Sequence, residues 1–223
     1  MTSRISIIYL ILNLFAVLLG GLSMFLLLRK QKVEKRQALA FVSLLCIGAL
    51  IFGTTVSLDF EKRIISVGFD SLRAVAGVGV VLVVLYFTFR KCFDAILRAV
   101  ILSLPLMYGF AKIGCTVAGC CHGILYDGPF ALTGHDGARH FPIQPLESIV
   151  FLLIYVLGLA VYIWKKEDPL QLVVWFSLVS KFALDFLRAE RSGVISRNQI
   201  LIIVYLVVWL VCSLALARRK TKK

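Results

Sequence analysis

Seven stretches of this chain are apolar over a length that can cross a hydrocarbon layer of roughly 30 Å. They are Ile7–Leu28, Ala38–Leu58, Leu72–Phe89, Ala95–Val117, Leu146–Trp164, Leu170–Leu187 and Ile200–Ala217. With 60% hydrophobic and 17% charged residues and a mean hydropathy of +0.93, the 223 residues do not describe a soluble globular domain. In lipid every backbone polar group must be satisfied internally, which favours helices for spans of this length. The expected fold is therefore an all-α polytopic membrane protein of about seven transmembrane helices. No internal repeat or linker interrupts it, so residues 1–223 are expected to form a single membrane domain.

Basic residues set the expected orientation. Arg29, Lys30, Lys32, Lys35 and Arg36 follow the first span; Arg90, Lys91 and Arg98 follow the third; Lys165 and Lys166 follow the fifth; Arg218, Arg219, Lys220, Lys222 and Lys223 follow the last. Lysine and arginine collect on the inner side of a membrane, which gives an N-out, C-in topology. Trp164 beside Lys165 reads as an interfacial anchor. Most of the net charge of +13 belongs to these loops, and it implies contact with anionic lipid and no need for nucleic acid. The first span has only Arg4 ahead of it and a dense basic cluster behind it, so it is expected to be a retained helix and not a removed signal peptide. The sizeable loops are outside: Asp59–Ser71 and Gly123–Pro145, the second rich in glycine and proline and holding His135 and His140.

Charge within the apolar spans points to a site. Lys181, Asp185 and Arg188 stand at i, i+4 and i+7 of a helical register, on one face, and a bilayer penalises charge near its centre by several kcal/mol per residue. An interhelical ion pair is the structural alternative. Lys112, Cys115, Gly119 and His122 share a face if the fourth span stays helical past Pro105, and Cys121 would then point away. Cys115, Cys120 and Cys121 leave three possibilities open. They could bind zinc with a histidine, although an adjacent cysteine pair suits a tetrahedral ion poorly; they could form disulfides; or one thiolate, favoured by Lys112 or His122, could bind or attack a substrate. No metal and no cofactor are expected. Cys46, Cys92 and Cys212 read as small apolar fillers.

Four segments carry a resemblance to a known family: Lys112-Ile-Gly-Cys-Thr-Val-Ala-Gly-Cys-Cys-His-Gly123, Pro142-Ile-Gln-Pro-Leu-Glu147, Lys181-Phe-Ala-Leu-Asp-Phe-Leu-Arg188 and Asn198-Gln-Ile-Leu201. In order and spacing they resemble bacterial prolipoprotein diacylglyceryl transferase. The chain departs from that pattern in several places. Lys112 and Cys115 stand where the signature has arginine and asparagine, Cys120 where it has an acidic residue, and Lys181 and Asp185 where it has arginine and glutamate. Ala74, with Arg73 beside it, falls where a third-span histidine belongs.

The resemblance implies a transferase of the bacterial plasma (inner) membrane with its site facing outward. It would move the diacylglyceryl group of phosphatidylglycerol, or of another anionic phospholipid, onto the cysteine thiol of a lipoprotein-like acceptor. In such a site Lys112, Lys181, Arg188 and Arg73 would hold the headgroup and the leaving phosphate. His122 and Glu147 are the candidate bases, and Cys120 and Cys121 the candidate sulfur groups. Asp185 would orient Lys181 as its i+4 partner. Cys115, Gln144 and Gln199 would line the site, the two glutamines through hydrogen bonds to glycerol or ester oxygens. A membrane thiol–disulfide protein using Cys115, Cys120 and Cys121, or a non-catalytic lipid-binding homologue, are the alternatives.

Overall fold

The computed structural model of the chain describes residues 3–59, 64–134, 137–165, 168–189 and 195–220, so that His135 and Lys166 lie outside it. The described residues hold seven helices: α1 (Ser3–Lys30), α2 (Lys35–Gly53), α3 (Ser71–Thr88), α4 (Phe93–Ala118), α5 (Ile143–Ala160), α6 (Leu170–Asp185) and α7 (Arg197–Lys220). Six are long and apolar enough to cross a membrane, which suggests a multi-pass membrane protein. Their outward faces carry the residues such a setting requires: Leu18, Ile51, Phe87, Leu153 and Val211 are all exposed. The exception is α6. Its 16 residues rise about 24 Å, short of a full crossing, because the helix stops at Asp185.

The chain groups into two compact units, Asn13–Tyr108 on the one hand and Met1–Leu12 with Gly109–Lys223 on the other. In the first, α2 and α3 cross where Gly48 meets Gly77. A Cβ on Gly77 would sit against the Gly48 carbonyl and the Phe52 side chain, so only a bare backbone permits the approach. Phe41, Leu45, Ile96 and Leu102 form the unit's core, and a hydrogen bond of 2.9 Å between the buried hydroxyls of Ser103 and Ser23 ties α4 to α1.

The second span ends sooner than its apolar run. Thr54–Asp59 is strand β1, paired antiparallel with β2 (Ile64–Phe69) from Thr54 opposite Phe69 to Asp59 opposite Ile64. The run Thr-Thr-Val is rich in β-branched residues, which favour strand once Gly53 has ended the helix. Asp70 then starts α3 by accepting hydrogen bonds from the backbone N–H groups of Leu72 and Arg73, at 2.9 and 3.2 Å.

The second unit joins the last half of α4 to α5, α6 and α7. Its core includes Ile143, Phe151, Ile154, Val173 and Ile202. A single π-helical turn, Val161–Lys165, closes α5. Between α4 and α5 lies the small antiparallel pair β3 (Leu132–Thr133) and β4 (Arg139–His140).

Candidate functional site

The end of α4 determines where the cysteines go. Gly119, in the left-handed region at φ 60°, donates its N–H to Thr116 O at 3.2 Å, and Cys120 donates to Cys115 O at 3.2 Å. This pair of bonds is a Schellman cap, the motif that ends a helix with a left-handed glycine. The helix therefore stops at Ala118, and the expected face running on to His122 is not formed. Cys121 is also left-handed, at φ 59°, which is uncommon for a residue with a side chain. Two reversals in three residues fold the chain back, so that the sulfurs of Cys115, Cys120 and Cys121 all lie within 4.8 Å of one another. Cys121 is thus gathered in, contrary to the expectation that it points away. Hydrogen bonds among the three thiols lower Cys121 and raise Cys120, so that the protons are shared unevenly within the cluster, and the charges of Lys112 and Arg188 favour thiolate at Cys121. Gly119→Ala is expected to destabilise the protein by about 1 kcal/mol through left-handed strain, read as a lower midpoint of thermal unfolding in detergent.

Backbone pairing stitches the ends of three helices together. Ile124 N–H donates to Leu187 O and Ala189 N–H to His122 O, both at 3.0 Å, so the segment after α4 runs antiparallel to the segment after α6, with Gly123 opposite Arg188. Phe141 N–H donates to Ile124 O and Tyr126 N–H to Arg139 O, each at 2.9 Å, adding the segment that leads into α5. His140 donates from Nδ1 to Gly123 O at 2.9 Å, and its ring lies 4.9 Å from that of His122. Gln144, in the first turn of α5, donates from Nε2 to Cys120 O at 2.6 Å and so pins the cysteine loop.

The charged centre is Glu147, whose side chain is fully buried. Lys181 Nζ of α6 reaches its Oε1 at 2.6 Å; Arg188 Nη2 and Lys112 Nζ of α4 reach its Oε2 at 2.7 and 3.1 Å. Three cations from separate elements converge on one carboxylate. Asp185 supplies the second negative charge, 3.6 Å from Arg188 Nε. Counted without the thiols, these three cations and two carboxylates leave one positive charge in a place from which water is largely excluded.

Several expected roles change. The partner of Lys181 is Glu147 and not Asp185, because α6 ends at Asp185 and that side chain turns to Arg188 and to Ser196, whose hydroxyl donates to Oδ2. Glu147 is a counter-ion whose oxygens are taken up by three cations, which leaves His122 as the candidate base. Gln199 is occupied by the start of α7: its Oε1 accepts from Ser196 N–H at 2.9 Å, while Ser196 Oγ accepts from Gln199 N–H at 3.1 Å. This reciprocal capping box uses the Ser-x-x-Gln spacing that stands in the sequence at 196–199, and it accounts for Gln199 without any ligand. Arg73 belongs to the other unit, where it pairs with Asp70 at 3.5 Å and is well exposed.

Two residues of the site escape sequence reasoning. Ser196 caps α7 and bonds Asp185 in the same stroke, and the capping-box spacing was the signal for it. Tyr9 of α1 lies within electrostatic reach of the three thiols and Lys112; nothing in a tyrosine near the end of an apolar span marks it out. Ser196→Ala is expected to cost about 1 kcal/mol for the lost cap, and more because a buried carboxylate loses its donor; chemical denaturation in detergent measures both together.

An open apolar groove along α4 and α5 is lined by Ile113, Thr116, Val117, Pro145, Ser148 and Ile149. Comparison with protein-family models, with curated proteins and with solved structures finds no match.

Proposed function

We propose that this chain is a membrane transferase that moves a diacylglyceryl, or related glycerophospholipid-derived, group from phosphatidylglycerol to a thiol of a lipoprotein-like acceptor. It would work at the outer face of the bacterial plasma membrane in an N-out, C-in protein. The observation that carries this is the convergence of Lys112, Lys181 and Arg188 on the buried Glu147, in the same unit as three clustered thiols. A phosphodiester headgroup carries a negative charge that cations such as these would hold, and charge-assisted bonds in a dry site are strong. An apolar groove along α4 and α5, lined by Ile113, Val117 and Ile149 among others, suits an acyl chain.

In the reaction the acceptor's thiol proton passes to a base, for which His122 is the candidate, and the sulfur attacks the glycerol carbon. The carbon–oxygen bond to phosphate breaks, and glycerol phosphate leaves with the electron pair. Lys112 and Arg188 would meet the charge that develops on the leaving oxygen. Gln144, 3% exposed, has a buried Oε1 with no hydrogen-bond partner among the described residues, and this acceptor suits a glycerol hydroxyl.

The test uses purified protein in vesicles of phosphatidylglycerol labelled in the headgroup glycerol, with a cysteine peptide as acceptor. Release of labelled glycerol phosphate with formation of a thioether is expected. Labelled lipid left intact with every thiol acceptor tried would contradict the proposal. The thiol–disulfide alternative has one observation in its favour, the closeness of the three sulfurs; a disulfide among them in protein prepared without reductant would support it.

A further inference from the structure

We propose that Cys115, Cys120 and Cys121 form a three-sulfur site for one divalent thiophilic cation of the zinc class. The proposal is independent of the transferase reaction, since it concerns what the sulfurs bind and not what is transferred. Zinc–thiolate bonds are about 2.3 Å long, so sulfurs around a tetrahedral ion stand about 3.8 Å apart. Three sulfurs already within 4.8 Å of one another need to close by only about 1 Å to reach that spacing.

The local backbone is built for this convergence. Adjacent cysteines in regular structure point to different sides, yet the left-handed turns at Gly119 and Cys121 reverse the chain and bring the neighbouring pair back onto Cys115. The loop that carries them is held from outside by the hydrogen bond from Gln144 to Cys120 O and by the pairing of the segments around Gly123 and Arg188. A left-handed residue with a side chain carries strain, and such strain persists where surrounding contacts enforce it. Gathering three thiols is what it achieves here.

Charge fits a divalent ion. Three thiolates around such an ion leave one negative charge, and Lys112 and Arg188 lie within electrostatic reach to oppose it. Neighbouring cations favour thiolate, the form that binds a metal. Three protein ligands and a remaining position for water or an exogenous thiol is the arrangement of zinc sites that are not purely structural.

The experiment takes the full chain in detergent, reduced and freed of metal with a chelator, and titrates it with Cd2+ as a spectroscopic probe. A thiolate-to-cadmium absorption band that saturates at one ion per chain, and that added Zn2+ abolishes, is expected. Serine at any one of the three positions should weaken Cd2+ binding by more than the roughly tenfold loss seen on removing a partner behind a ligand. Because such variants could fold poorly, the wild-type protein supplies a second measurement: Zn2+ should slow alkylation of Cys115, Cys120 and Cys121 and leave Cys46, Cys92 and Cys212 unaffected. A band that persists in the triple serine variant, the absence of any band, or Zn2+ protection spread over all six cysteines would overturn the site. A disulfide among the three that forms in place of metal binding would overturn it too.

Discussion

Replacement of Glu147 by alanine is expected to be the most damaging single change in the chain, costing about 3 to 5 kcal/mol. The side chain is fully buried and receives Lys181, Arg188 and Lys112 at 2.6, 2.7 and 3.1 Å. Without it three cations share a dry space with only Asp185 to oppose them, and the penalty of uncompensated charge exceeds that of the cavity left behind. Removing Lys181 as well should recover only part of the loss, because Lys112 and Arg188 remain. Fluorescence-detected size exclusion of the detergent-extracted variants reads the outcome: little monodisperse Glu147→Ala protein, somewhat more of the double variant. Full recovery by the pair Lys181→Ala with Asp185→Ala, with Glu147 intact, would mean that Asp185 is the true partner of Lys181.

Lys112→Ala is expected to remove lipid-dependent activity while costing far less stability. Its ion pair with Glu147 is the longest of the three, and the two shorter ones still satisfy that carboxylate when it is gone. A leaving phosphate would lose a cation, and losing one such stabilising donor in a dry site slows reactions by about 10²–10³. Lys112→Arg should restore part of the rate, since the charge returns with a different geometry. Initial rates of glycerol phosphate release at matched amounts of monodisperse protein separate the two effects. If Lys112→Ala retained the wild-type rate, the cation would be structural.

What could be read from the sequence follows from where each constraint acts. Six of the seven apolar windows correspond to long helices because the demand on a bilayer span is local and one-dimensional. The window at Ala38–Leu58 ran too far: Thr54, Thr55 and Val56 are apolar enough to prolong a span, yet they pair as a strand with a partner that hydropathy does not identify. The face drawn through Lys112, Cys115 and His122 assumed a continuous helix, although Gly119 carried the signal to end it. Sequence separation also misled the pairing of charges. Lys181 and Asp185 are one turn apart, yet Lys181 binds a carboxylate 34 residues away, a choice set by how α5 and α6 pack. Ser196 and Gln199 stand at capping-box spacing, a signal that the reading of Gln199 as a lining residue passes over, while the meeting of the three cysteines depends on two left-handed residues, one of them not a glycine.

The lipid that travels with the protein bears most directly on whether the buried cations hold an anionic headgroup. Native mass spectrometry of the wild-type chain extracted in mild detergent is expected to retain one phosphatidylglycerol, and Lys112→Ala prepared in the same way should lose it. Wild-type protein carrying no phospholipid, or Lys112→Ala holding phosphatidylglycerol as firmly as the wild type, would contradict the assignment of this centre as a phospholipid site.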